Sequence, residues 1–358
     1  MTRREVLEAS LLAGLLGPSL LAGRLAAGGV AAGIAPGGEA RRIGLVPFVG
    51  EGSEPLETLL GDGLGGRRAL DLSTLTPEAL IVPSERFFVR TRYPDGRGAP
   101  SPWRVVVGGH VRRERVFSLE ELRARSRPMG VHLIECSGNG PRRRFGLIGA
   151  AEWSGVPASS LLDSVNTRRA ASRVRVSGFD HHSRPAPGSV PRASWIFTGD
   201  DLERAGAFFA TAMNGLPLPL DNGHPVRLVV PGWYGCASIK WVTDIAWVEE
   251  SVPATAQMKE FASRTHQEGI PERARDYRPA EVDTAAMPIR VEKWWTRRGA
   301  AYRVVGIVWG GKRPVRSLRI RFDPGTGPES VEHSPAGAAS TWSLWSYWWK
   351  PPAPGRYR

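Results

Sequence analysis

Residues 130–140 read GVHLIECSGNG, an apolar run that ends at Cys136 and gives way at once to Ser137, Gly138, Asn139 and Gly140. The run predicts a strand and the glycines a turn, whose backbone N–H groups can converge on an anion. Cys136 is the first of only 2 cysteines in 358 residues, so a reactive group stands at that junction.

Three chemistries compete for it. A disulfide to Cys236 would close a loop of about 100 residues, worth ~4.7 kcal/mol in the chain-entropy account. A nucleophile would need a histidine as base, and His132 lies four positions back on the same strand face. A thiolate ligand would suit a soft or high-valent metal. A disulfide asks nothing of its neighbours, whereas this thiol is followed by a glycine-rich turn and by Arg142, Arg143 and Arg144. Those arginines are expected to lower the thiol pKa and to attract anions. The setting favours a site, with Arg142 and Arg143 as candidate substrate contacts.

The formal charge is +13 and the sequence pI about 10.6. Lysine occurs only at positions 240, 259, 293, 312 and 350, so the positive charge is mostly arginine, scattered along the chain. That scatter is compatible with small anionic ligands or with background composition. No zinc-finger, homeodomain or RNP-type pattern accompanies it, which argues against nucleic acid as partner. No apolar run reaches the ~20 residues of a membrane-spanning helix, because Gly17, Pro18 and Arg24 interrupt the one candidate, so a soluble mature protein is expected. The order Arg3-Arg4, apolar stretch, small residues over 1–40 reads as a twin-arginine leader, which predicts a periplasmic or otherwise exported protein.

Residues 41–70 are Gly-rich and read as a linker. A domain is expected over 71–280. Within it, Thr76 before Pro77 reads as a helix start, and RFFVRTRYP (86–94) as a strand entering a turn. PWRVVVGGHV (102–111), SRVRVSGFD (172–180) and PVRLVVPGW (225–233) read as strands. Ser118 and Glu121 form a capping box ahead of a short helix, and DDLERAGAFFATAMNG (200–215) is helix-like. The mixture predicts an α+β fold and not regular βαβ winding. Over 284–358, MPIRVEKWWT, AAYRVVGIVWGG, RPVRSLRIRFDP and WSLWSYWWK read as successive strands of a small immunoglobulin-like β-sandwich that stops short of a further strand.

Five segments taken together carry a resemblance. They are FFVRTRYP (87–94), HLIECSGNG (132–140), GAAEWSGVPASSLL (149–162), AMNGLPLPLDNGHPVRLVVPGWYGCASIKWV (212–242) and the tryptophan-rich C-terminal strands. In this order and spacing they resemble the sulfite oxidase family of molybdopterin-dependent oxidoreductases, with IECSGN closer to its sulfane dehydrogenase branch. The resemblance runs from about residue 75 to the end. It implies a mixed molybdopterin-binding domain followed by an immunoglobulin-like domain of the kind that mediates dimers in parts of the family.

The resemblance also assigns roles. Cys136 becomes the protein thiolate on molybdenum, completed by the pterin dithiolene, and Arg90 faces the substrate anion. Phe88, Val89, Arg90, Thr91 and Arg92 line the cofactor, with Ser137, Asn139, Asp180, Asn222, His224, Arg227, Ser238, Ile239 and Lys240. Asn222 stands where the family has a cofactor-binding histidine, with His224 displaced from it. The family's active-site tyrosine aligns with Pro191 or Arg192, and its C-terminal substrate arginine falls within WSLWSYWW, which has none. The implied activity is oxygen-atom transfer on sulfite or a related small sulfur oxyanion. The alternatives are a sulfoxide substrate, or a non-catalytic binding or structural module stabilised by a disulfide. Cys236 is expected to be a small buried hydrophobe. No CxxCH occurs, so no haem is expected in this chain, and a separate acceptor such as a cytochrome c is implied.

Overall fold

The computed structural model describes residues 40–95, 100–182, 191–323, 327–331 and 341–358. The expected leader lies outside these residues, but for Ala40 at its end. The chain divides into two compact units. No helix among the described residues is long and apolar enough to cross a membrane.

The larger unit comprises Pro55–Asp71 and Ile81–Val282. One of its sheets runs in the order Leu216–Pro217, Phe208–Met213, Ile148–Pro157 and Arg127–Glu135, with Arg227–Val229 also pairing on Phe208–Met213. A second runs Arg115–Ser118, Arg104–Gly109, Val242–Val248, Arg173–Gly178, Ser194–Phe197, antiparallel except where Val242–Val248 lies parallel to Arg104–Gly109. Arg173–Gly178 shows the period of two that a half-buried strand requires, Val174 and Val176 being fully buried between polar residues.

Several local expectations are corrected. The helix-like stretch 200–215 is helical only over Gly199–Arg204, where Thr198 and Asp201 form a reciprocal capping box. Gly206, at φ +62°, ends it, and Phe208–Met213 becomes a strand. This strand is buried on both faces, so its sequence shows no alternation to separate it from a buried helix. Thr76 and Pro77 start a turn, not a helix: the N–H of Ala79 donates to the carbonyl of Thr76 at 3.0 Å. Proline's fixed φ suits the second position of a turn as well as the first turn of a helix. Ser118 does cap Leu119–Ala124, but Glu121 turns its carboxylate to Arg115 and Arg125 instead of closing a capping box.

The stretch 41–70 is not a linker. Arg67–Arg68 pairs with Val89–Arg90, and this two-residue strand is all that forms within RFFVRTRYP, since Thr91 takes φ +69°. Leu64 and Leu70 are buried in the same unit. Arg41–Val46 is a strand of the smaller unit, paired with Ala285–Thr296.

The smaller unit holds an antiparallel sheet in the order Arg41–Val46, Ala285–Thr296, Gly299–Trp309, Ser343–Trp349, and a ribbon of Leu318–Ile320 with Glu329–Val331. Val304, Val308, Trp345 and Tyr347 from the sheet share one core with Phe322 and Val331, which makes a β-sandwich region. Few helices and many strands give the mixed α+β class expected.

Candidate functional site

Cys136 extends the strand Arg127–Glu135 by one residue, its N–H donating to Leu147 O at 2.9 Å. The chain then turns back on it. The N–H of Gly138 points to Cys136 Sγ at 3.4 Å, and that of Asn139 donates to Cys136 O at 2.9 Å. Asn139 locks the turn, accepting from Leu147 N at 3.0 Å and donating to Glu135 Oε1 at 3.2 Å. Beyond the short helix Pro141–Arg143, Arg144 and Phe145 adopt φ of +47° and +57°, and the chain swings back toward Leu147.

Cys136, Ser137 and Gly138 open onto a cavity of about 300 Å³. Phe88, Arg90 and Thr91 line it from one segment, Asn222 and Arg227 from a second, Ser238, Ile239 and Lys240 from a third, and Asp180 from a fourth. Val89, Arg92, Asn139, His224 and Arg142 are not in its wall. Val89 is buried beside it, Arg92 pairs with Asp62 at 2.7 Å, and the His224 ring bonds Leu218 O at 3.1 Å. Arg142 is exposed, whereas Arg143 reaches the wall.

The cations are held by backbone carbonyls. Lys240 Nζ donates to Arg90 O at 3.0 Å, to Asp221 O at 2.8 Å and to Thr91 O. Arg227 donates from Nη1 to Asn222 O at 2.9 Å and from Nη2 to Ser238 O at 3.2 Å. Arg90 donates to Leu64 O and to Thr91 Oγ1. Asn222 donates to Phe88 O at 3.0 Å, so the second segment is tied to the first. Asp180 accepts from Ala193 N at 2.8 Å through one oxygen, and its other oxygen lies 2.8 Å from Nε2 of the buried His182.

Burial sets the electrostatics. It pushes the Arg227 pKa down to about 10. Burial, then the nearby Arg227, push the Lys240 ammonium to about 7 against the pull of Asp221 and Asp180. The Cys136 thiol is raised, chiefly by burial, with Gly138 N–H, Arg90 and Arg264 pulling the other way. This corrects the expectation that Arg142, Arg143 and Arg144 would lower it: desolvation outweighs the cations, and the cations that reach the thiol come from other segments.

A pH dependence follows from Lys240. Its folded pKa lies below the unfolded value of about 10.4, so between about pH 7 and pH 10 the unfolded chain binds more protons and stability rises with pH. Thermal melting of the cofactor-free chain is expected to show this rise, and Lys240→Met to flatten it. An unchanged slope in that variant would place the effect elsewhere.

Several wall residues gave no signal in sequence. Gln257, Glu260 and Phe261 come from the helix Ala256–Glu260 and its end, and Asp221 from the short helix Leu220–Asn222. Cys236 is buried as expected, yet it lines the cavity with Cys136. Both thiols are free, so the disulfide reading does not hold in this structure.

The cavity's chemistry fits an anionic, ring-bearing group that brings a soft metal. Two of its lining polar atoms, Asn222 Oδ1 and Arg227 Nε, are buried without a partner among the described residues, an acceptor and a donor for such a group. Four cations, Arg90, Arg143, Arg227 and Lys240, outnumber the three carboxylates Asp180, Asp221 and Glu260 in the wall. Among the described residues no group of three or more His, Cys, Asp or Glu could hold a metal, so a metal at Cys136 would take its other ligands from the group itself.

Residues 92–256 match the family model described as oxidoreductase molybdopterin binding domain. The chain is 29% identical over 298 residues to a sulfite oxidase of Gallus gallus, covering 76% of this chain and 63% of that protein. It is 24% identical over 304 residues to a mitochondrial sulfite oxidase of Drosophila melanogaster, covering 76% and 51%. A nitrate reductase [NADPH] of Fusarium oxysporum matches at 30% over 191 residues, 50% of this chain and 21% of that one. The chain thus spans less than two-thirds of these relatives. The fold is that of the sulfane dehydrogenase SoxCD crystal structure from Paracoccus pantotrophus, at TM-score 0.63 and 18% identity, covering 82% and 75% of the two chains.

Proposed function

We propose that this chain, which belongs to the sulfite oxidase family, is a molybdopterin-dependent oxidoreductase acting on sulfite or a related small sulfur oxyanion. The observation that carries this is the Cys136 thiol, set by the Gly138 N–H at the rim of a cavity walled by Arg90, Arg227 and Lys240. When bound, the molybdenum–pterin group supplies two-electron redox coupled to oxygen-atom transfer.

The chain's own residues do the rest. Asn222, Arg227, Ser238 and Lys240 bind and orient the pterin and its phosphate, with Arg227 Nε and Asn222 Oδ1 free to pair with it. Cys136 supplies the soft ligand, and Gly138 N–H fixes its direction. Arg90 and Arg143 bring positive charge to the cavity from two segments and would draw in an anionic substrate. We read the sandwich as the immunoglobulin-like unit of a homodimer. The leader sequence supports export to the periplasm, where electrons would leave to a separate carrier such as a cytochrome c.

The test is metal analysis and a dye-coupled substrate screen on protein expressed with its leader in a molybdate-replete bacterial host. About one molybdenum per chain is expected by analogy with a single-ligand site, with dye reduced by sulfite or thiosulfate. Dye oxidised by a sulfoxide instead would reverse the direction of transfer. A chain without molybdenum would overturn the proposal, and a loaded chain inert to all these substrates would overturn its catalytic part.

A further inference from the structure

Resting on that cofactor reading, a second role can be assigned at the same wall. The segments that carry Cys136 and Cys236 run side by side. The N–H of Gly235 donates to Glu135 O at 2.7 Å, so the residue before one cysteine is hydrogen-bonded to the residue before the other. A Cβ on Gly235 would stand 3.1 Å from Glu135 O and 3.2 Å from Ile134 Cγ2, so glycine is what lets the backbones approach this closely. Cys236 lines the same cavity wall as Cys136 and Ser137. One residue upstream of the thiols the two chains are already hydrogen-bonded to each other, and both cysteines face the same cavity.

We propose that Cys236 is the oxidisable partner of Cys136, and that before the molybdenum group is loaded the two thiols close into a disulfide that withdraws the metal ligand until it is reduced. The oxidant is a small-molecule disulfide. Cys136, the more exposed of the pair, loses its proton, attacks one sulfur of the oxidant and releases the first thiol. Cys236 then loses its proton, attacks Cys136 Sγ in the mixed disulfide and releases the second. One S–S bond forms within the protein and one breaks in the oxidant; two electrons pass to the oxidant, and the two cysteine protons end on its two thiols. In the loaded protein the metal holds Cys136, and the bridge cannot form.

Full-length chain made in a host unable to synthesise the pterin is treated with glutathione disulfide and digested without reductant. The expected result is one peptide pair joined through Cys136 and Cys236, with both thiols lost to alkylation. When pterin and molybdate are then supplied, the bridged chain is expected to take up below about a tenth of the molybdenum that the reduced chain takes, for want of its thiolate ligand. Dithiothreitol is expected to restore uptake. Glutathione on separate cysteines with no joined pair overturns the proposal, as does a bridged chain that loads fully. A reduced chain that loads but never bridges overturns the gate alone, whereas a reduced chain that takes up no molybdenum overturns the cofactor reading with it.

Discussion

Cys136→Ser is expected to leave the fold standing and to strip the protein of molybdenum. Serine is smaller by little more than the difference between oxygen and sulfur, and Gly138 N–H, 3.4 Å from Sγ in the native turn, finds a hydroxyl oxygen in its place. The turn itself is held by Asn139, whose bonds to Leu147 N and Glu135 Oε1 do not involve the substituted atom. The melting temperature is therefore expected to move by the equivalent of no more than about 1 kcal/mol. The metal is another matter. A hydroxyl ionises far less readily than a thiol and is a hard donor where a soft one is called for. No histidine or carboxylate cluster among the described residues stands ready to replace it. Loss of partners one shell further out typically costs 10–100-fold, so loss of the ligand is expected to lower activity by more than about 100-fold. Full molybdenum content with activity intact would remove Cys136 from the metal. Molybdenum that persists in Cys136→Ser and disappears only when Cys236 is replaced as well would transfer the ligand role to Cys236.

The sequence made Cys136 legible because two local signals meet there, a strand that ends and a turn of small residues that begins. It made the neighbouring arginines misleading for the same reason. Contiguity placed Arg142, Arg143 and Arg144 at the thiol. The left-handed residues Arg144 and Phe145 turn the backbone back to Leu147, beside Cys136, while the Arg142 side chain is left exposed. The cations that reach the thiol are Arg90 and Arg264, brought from remote segments by tertiary packing that no local pattern encodes. Asn139 shows a related limit: beside a metal ligand it looks like a cofactor contact, yet its amide is spent on the turn. The fold shows the same division. Val174 and Val176 announce a half-buried strand by alternation, whereas FFATAM, buried on both faces, does not. Arg67–Arg68 is a strand only because Val89–Arg90 lies against it, so a two-residue element read alone looks like linker.

Arg227→Met separates what holds the site together from what holds the cofactor. Arg227 is buried, gives both terminal nitrogens to the carbonyls of Asn222 and Ser238, and lies 5.6 Å above the Trp153 ring. Methionine fills much of the same length without charge. In the cofactor-free chain two effects oppose. Two buried carbonyls lose a charged donor, at about 1–3 kcal/mol each, while a cation that burial disfavours is removed, returning part of that cost. A net loss of no more than a few kcal/mol is expected in the melting of the empty chain. In the loaded chain nothing offsets the change, because the anionic group loses one of its buried cations and the unpartnered Nε that would donate to it. A charge-assisted bond is worth about 1.5–3 kcal/mol, so binding of the pterin is expected to weaken by roughly 10- to 150-fold. The extra melting temperature that cofactor confers on the native chain should shrink with it, since ligand stabilisation falls by about 1.4 kcal/mol per tenfold loss of affinity at saturating ligand. Arg227→Lys is the discriminating control. It keeps the charge but lacks the planar fork that reaches both carbonyls, so it is expected to recover part of the pterin content and little of the empty-chain stability. If Arg227→Met loses melting temperature yet keeps its full complement of pterin, Arg227 is a prop for the loop between Asn222 and Ser238, and the anion-binding role passes to Arg90 and Lys240.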